Sequence, residues 1–236
     1  MLITIEGSSC SGKSTLCRAL QHNLKGSLIV GRSQIYEPLA HRVIDHPDIT
    51  FESLILEEPS SPLDQINLQL RFAHLVSRRL RMIQHYHPVD TTDDVIILAD
   101  RDISSFYAHS RARSYDSGSS ERRALAELVR YVWSQNPVTP DLFVYIQTPY
   151  EVCVERSKSR GGLPRRDLSD PSYFHRLSEG YQQMIQVRGE GYSLRLDGLE
   201  SQDVIMAQVH EAIKEVSRLK PLSPLALINR LADTLK

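Results

Sequence analysis

The segment Gly7-Ser8-Ser9-Cys10-Ser11-Gly12-Lys13-Ser14 follows the pattern G-x-x-x-x-G-K-[ST]. Each position meets a physical demand. The glycines let the backbone curl so that successive N–H groups face one anion. A helix starting near Lys13 adds the positive end of its dipole. Lys13 is long enough to reach outer phosphates, and the Ser14 hydroxyl suits magnesium. Residues Gly7 through Ser14, with Thr15 behind them, are therefore the expected cradle for the phosphates of ATP. A chance match on a Gly/Ser-rich turn is the competing explanation, and the flanks argue against it. Leu2 to Ile5 is a short apolar run that reads as a buried strand. Leu16, Leu20 and Leu24 recur at helical spacing just after the loop.

The same alternation continues along the chain. Short strands are expected at Ser27–Val30, Val95–Ala99, Leu142–Ile146 and Ser193–Leu196. Helical spacing predicts helices over about 64–84, Glu121–Trp133, Glu151–Ser159, Tyr173–Arg188, about 201–218 and Leu225–Leu235. The Ser-, Arg- and Gly-rich stretch from Arg111 to Glu121 reads as a loop or frayed helix end. The implied fold is α/β: a five-stranded parallel sheet with helices on both faces. One domain over 1–218 is expected, with a lid at about 157–170 and a helical extension over 219–236.

Bulk properties exclude several classes. A chain of 236 residues fits one large α/β domain. A formal net charge of −1 gives no basic surface for bulk nucleic-acid binding. Cys10, Cys17 and Cys153 form no CxxC pair, which suits reduced thiols in a cytoplasmic compartment. No signal peptide pattern opens the sequence, and no apolar run approaches the ~20 residues of a membrane span. The Asn-Lys-x-Asp that reads guanine in switch GTPases is missing, because the sequence has no Asn-Lys pair.

Two further groups carry chemistry. Asp100-Arg101 ends a buried strand, where a P-loop protein needs its second magnesium-side group. Asp100 then supports the metal with Ser14, or simply caps the next helix. Arg101 can clamp a phosphoryl group bidentately. Arg156, Arg160, Arg165 and Arg166 follow around Gly161-Gly162 and Pro164. They form either a solvated basic loop or an arginine-bearing flap that closes over ATP.

In this order the motifs resemble the thymidylate kinase and deoxynucleoside kinase superfamily. Ile3 to Thr15 is similar to its opening strand and phosphate loop. Tyr36-Glu37-Pro38 resembles its Glu-Pro, and Asp100-Arg101 with Ser105 and Ala108 resembles D-R-Y-x-x-S-x-x-A-Y. Pro140-Asp141-Leu142 through Arg156 and Arg160-Gly161 resembles its P-D-L strand, following helix and arginine lid, and Phe174 to Tyr181 resembles its post-lid helix. The likeness spans roughly residues 1 to 215. The thymidylate kinase pattern is not followed throughout, and its R-E-P-G-G becomes Tyr36-Glu37-Pro38-Leu39-Ala40. Ser9 replaces the loop aspartate of G-x-D-G-x-G-K, Cys10 replaces the next glycine, and Asp102 replaces tyrosine.

The resemblance implies an ATP- and magnesium-dependent kinase, a small nucleoside or nucleotide acceptor, and a homodimer. The two branches differ in one demand. A nucleoside hydroxyl needs a base to take its proton; the resemblance places that base at Glu37. A monophosphate is already ionised near pH 7 and needs cations instead. On this branch Arg78 and Arg79 fall where an acceptor-holding arginine is expected, and Phe72 packs against a base or within the core. The Asp100-Arg101 stretch favours a monophosphate, dTMP. Lys13, Arg101, Arg160, Arg165, Arg166 and Glu37 are the expected catalytic groups. Arg156 is expected beside ATP, and Arg101 and Ser105 beside the acceptor.

Overall fold

Leu2–Glu6 forms β1, and every residue in it is buried. A strand of this kind needs partners on both edges and a covering layer on both faces. The computed structural model supplies both. It describes residues 1–24, 27–30, 64, 67–68, 96–113, 118–134, 139–161, 165–220 and 222–234.

After β1 come α1 (Lys13–Asn23), β2 (Ser27–Val30), β3 (Ile96–Asp100), α2 (Ile103–Arg113) and α3 (Ser119–Ser134). They are followed by β4 (Leu142–Gln147), α4 (Tyr150–Ser159), the short α5 (Arg166–Ser169) and α6 (Pro171–Arg188). β5 (Ser193–Asp197), α7 (Gln202–Val216) and α8 (Pro224–Asp233) complete the order. The strands pair in parallel in the order β2-β3-β1-β4-β5. β1 is central. The chain leaves it toward the β3 side and later crosses to β4 on the other, so the carboxyl end of β1 lies at a switch point, where such sheets bind ligands.

Strand alternation divides the core into two layers. Leu2, Ile97, Ala99, Phe143 and Tyr145 face one way, and residues of α2, α3, α6 and α8 cover them. Ile3, Ile5, Leu98, Val144 and Ile146 face the other way, beneath α1 and α7. Each fully buried aliphatic side chain here contributes roughly 1.5–3 kcal/mol.

Some boundaries differ from the sequence expectation. Of the stretch Arg111 to Glu121, expected as a loop or frayed helix end, Arg111–Arg113 end α2 and Ser119–Glu121 open α3. α2 has no stripe of leucines to mark its bounds: it buries Ser104, Ser105, Tyr107, Ala108, Ser110 and Ala112. The α6 helix starts two residues early, because Asp170 accepts the Tyr173 N–H at 3.0 Å and Pro171 fits the first helical position. Of the helix expected over 64–84, Asp64, Asn67 and Leu68 are helical, and the rest lies outside the described residues. Beyond Pro221, α8 inserts Leu227, Ile228 and Leu231 into the first core layer.

Candidate active site

The loop after β1 is shaped by close contacts. Gly7 has φ 151°, and a Cβ there would lie 2.6 Å from Ser11 Oγ and 2.8 Å from the Ile146 carbonyl oxygen. Cys10 has φ 61°, the left-handed conformation that glycine adopts more cheaply. Thr148 donates its hydroxyl to the Ser11 carbonyl at 3.1 Å, which pins the loop to the end of β4. Gly12, at φ 110°, opens α1 with no side-chain cap. The positive end of α1 is thereby presented to the loop. Lys13 folds inward and donates to the Ser8 carbonyl at 2.6 Å and to Ser11 Oγ at 3.4 Å. Burial, with nearby Arg101 adding to it, lowers the Lys13 ammonium to about 8.

The end of β3 stands beside the loop, because Ile5 pairs with Asp100 in the register of β1 and β3. Ser14 Oγ donates to Asp100 Oδ2 at 2.8 Å. A hydroxyl and a carboxylate meeting at a helix start form an oxygen donor set that suits magnesium.

Arg101 follows with φ 73° and is 5% exposed. It donates to Ser105 Oγ at 3.1 Å and to the Tyr181 hydroxyl at 3.0 Å, and lies 3.7 Å from Glu6 Oε2. Glu6 also accepts the Asp102 N–H at 2.8 Å and the Ser105 hydroxyl at 2.6 Å. Burial, helped by Asp102, raises the Glu6 carboxyl to about 7 against the pull of Arg101. Asp102 does a different job from the tyrosine it replaces. Its Oδ1 accepts the Ser104 N–H at 2.7 Å and so caps the start of α2.

Arg156, Arg160, Arg165 and Arg166 do not gather at one point. Arg156 donates to the Gly198 carbonyl at 3.1 Å. Together with Arg160 it lines a cavity of about 300 Å³ floored by Gly12, Thr15, Leu16 and Ile146. Arg165 reaches Ser9 Oγ at 3.4 Å. Arg166 stacks over the Tyr173 ring, 4.8 Å from its centroid. The expected site residues Glu37, Phe72, Arg78 and Arg79 lie outside the described residues.

Several participants were missed in the sequence. Glu6 ends β1 and Tyr181 sits in α6, whose apolar patterns absorb them, and Thr148 lies in the short connection after β4. Asp167 sits in the arginine segment, and its Oδ2 accepts the Ser9 N–H at 2.6 Å. His109 on α2 is buried and shares a 2.8 Å hydrogen bond through Nδ1 with the Tyr173 hydroxyl. Burial holds its imidazole well below the usual range, and the charges of Arg101, Arg113, Lys13 and Arg166 add to that effect. A helical histidine carries no sequence signal for such a position.

A parallel sheet with this loop at its switch point, a serine–carboxylate pair beside it and buried cations around it defines a P-loop phosphotransferase. The deoxynucleoside kinase family model matches residues 3–218, and the chain belongs to that family. The chain is similar to the thymidylate kinase of Acinetobacter baylyi, at 24% identity over 91% of this chain and 98% of that one. Among solved structures, the thymidylate kinase of Candida albicans matches with a TM-score of 0.63 and 20% identity, covering 94% of this chain and 95% of its own. The deoxyadenosine kinase of M. mycoides with bound dATP matches with a TM-score of 0.62 and 16% identity, covering 92% and 100%.

Proposed function

We propose that this kinase transfers the terminal phosphoryl group of ATP to a deoxynucleoside monophosphate, with dTMP the favoured acceptor. The observation that carries this reading is buried Arg101 at the end of β3, fixed by Ser105 and Tyr181 beside the loop that Lys13 braces. Fixed cations next to a phosphate loop suit an acceptor that is itself an anion and must approach another anion. The thymidylate kinase name of the Acinetobacter baylyi relative points the same way.

In this scheme the loop N–H groups and Lys13 hold the donor phosphates, and Ser14 with Asp100 holds magnesium. The metal, when bound, neutralises phosphate charge and draws electron density from the transferred group. The cavity beside Arg156, Arg160 and Thr15 takes the donor base. Arg101, fixed by Ser105 and Tyr181, orients the acceptor. The segment at about 157–170 acts as the lid, bringing Arg160, Arg165 and Arg166 to the transferred group and excluding water. The remaining assignments rest on the family resemblance: Arg78, Arg79 and Phe72 at the acceptor, a homodimer, and a cytoplasmic setting. No helix among the described residues is long and apolar enough to cross a membrane.

The second reading is a deoxynucleoside kinase with Glu37 as general base. The family model and the deoxyadenosine kinase fold favour it. A panel of nucleosides and nucleoside monophosphates, followed by ADP release, separates the two. The proposal predicts turnover of monophosphates, dTMP foremost, that survives Glu37→Gln. Turnover of nucleosides alone, abolished by Glu37→Gln, overturns it.

A further inference from the structure

Asp167 is 1% exposed, and the scheme above gives it no task. One oxygen, Oδ2, accepts the Ser9 N–H at 2.6 Å. The other, Oδ1, is buried without a hydrogen-bond partner among the described residues. The Ser9 N–H belongs to the curled backbone of the phosphate loop. A carboxylate oxygen and a phosphoryl oxygen make the same demand on it, and one N–H satisfies one of them at full strength. The loop thus holds an anion from its own chain at Ser9.

The surroundings hold that anion in place. Asp167 acts electrostatically on both Lys13 and Arg101. Arg165, two residues earlier, reaches the Ser9 hydroxyl. On the other side, Leu168 packs with Cys153 and Phe174. The Leu168 carbonyl accepts the Tyr150 hydroxyl at 2.9 Å. The α5 turn is therefore anchored before and after the carboxylate.

We infer that Asp167 is a built-in competitor for the phosphoryl site, a latch that a polyphosphate must displace to enter the loop. The inference rests on the loop being a phosphate site. Displacement follows from charge: a carboxylate and a polyphosphate at one N–H repel each other, and the polyphosphate makes more contacts with the loop. Arg165 and Arg166 are next to Asp167 in sequence, so movement of the latch also moves them. The arriving phosphates thereby exchange a neighbouring carboxylate for two neighbouring guanidinium groups. The latch lowers affinity for any polyphosphate that cannot make that exchange.

The test is direct binding of inorganic tripolyphosphate to the full chain, by calorimetry. This probe has neither base nor acceptor. Asp167→Ala should bind it about 10-fold or more tightly than the wild type. Asp167→Asn, nearly the same shape but uncharged, should show a smaller gain in the same direction, and it carries the test if the alanine variant fails to fold. Hydrogen exchange in residues 165–170 should rise when tripolyphosphate binds the wild type. Unchanged or weaker binding in folded Asp167 variants overturns the latch. If Lys13→Ala abolishes binding in that same experiment, the phosphate-site reading survives while the latch falls. Failure of both the wild type and the folded Asp167 variants to bind tripolyphosphate overturns both.

Discussion

Glu6 occupies the last position of β1, fully buried, with Asp102, Ser105 and Arg101 all turned toward it. Its carboxyl is raised from 4.5 to about 7, with burial the main cause. Between those values the unfolded chain has released this proton and the folded chain still holds it. The Glu6 contribution to stability must therefore fall as pH rises through that window and level off above about 7. This contribution amounts to up to about 3 kcal/mol. The difference in urea unfolding midpoint between the wild type and Glu6→Gln should carry this slope across pH 4.5–7, while His109, held below its usual range, tilts both proteins the opposite way. Parallel pH profiles for the two proteins would contradict the assignment. At this scale the sequence was legible where residues are contiguous. The loop from Gly7 to Ser14 declares itself because its pattern is local. The ring of Glu6, Arg101, Ser105 and Tyr181 does not, since it joins positions up to 175 residues apart (6 to 181) on three elements. Asp102 reads in the sequence as a departure from a family pattern, and the fold gives the reason, a helix cap. Asp167 was hidden because an acidic residue among four arginines looks like ordinary charge balance.

The crossing of α2 and α6 positions Arg101 against Tyr181, and Gly180 permits it. A Cβ on Gly180 would lie 2.9 Å from Ala108 Cα and 3.1 Å from Ala108 Cβ. Two effects oppose each other in Gly180→Ala. Helix propensity favours alanine by about 1 kcal/mol. Overpacking against a backbone atom costs about 1–3 kcal/mol or more, because a backbone cannot rotate aside. Overpacking should win, so the variant should unfold at lower urea concentration, with a net loss of about 1–2 kcal/mol. A gain in stability would mean that the helices sit further apart than described. The Tyr181 hydroxyl lies one residue on, so the same change should also loosen its bond to Arg101. The small-residue face of α2 that makes this approach possible also leaves the bounds of the helix unmarked. Ser104, Ser105, Ala108 and Ala112 carry no apolar stripe, so periodicity gives no signal there. α6 was easier, because Leu177, Tyr181 and Met184 are buried at helical spacing.

At the scale of the whole molecule, the alternation of short apolar runs with helical spacing was enough to infer a parallel α/β sheet. β1, β3 and β4 are buried on both faces, which leaves an uninterrupted apolar signature, while the edge strand β5 exposes Arg195 and Asp197. The placement of α8 against α3 and α6 was not inferable, since an amphipathic tail does not name the surface it covers. The acceptor side stayed less legible than the donor side for a related reason. Phosphate binding uses backbone N–H groups of one contiguous loop, while acceptor recognition draws single side chains from many elements. This site belongs to a phosphotransferase. Its most direct test follows label from γ-labelled ATP, with magnesium, into deoxynucleoside monophosphates and deoxynucleosides, using the wild type and Lys13→Ala. The wild type should give a labelled acceptor product, and Lys13→Ala should lose about 100-fold or more of it. Label appearing only as free phosphate, or equal transfer by Lys13→Ala, would contradict it.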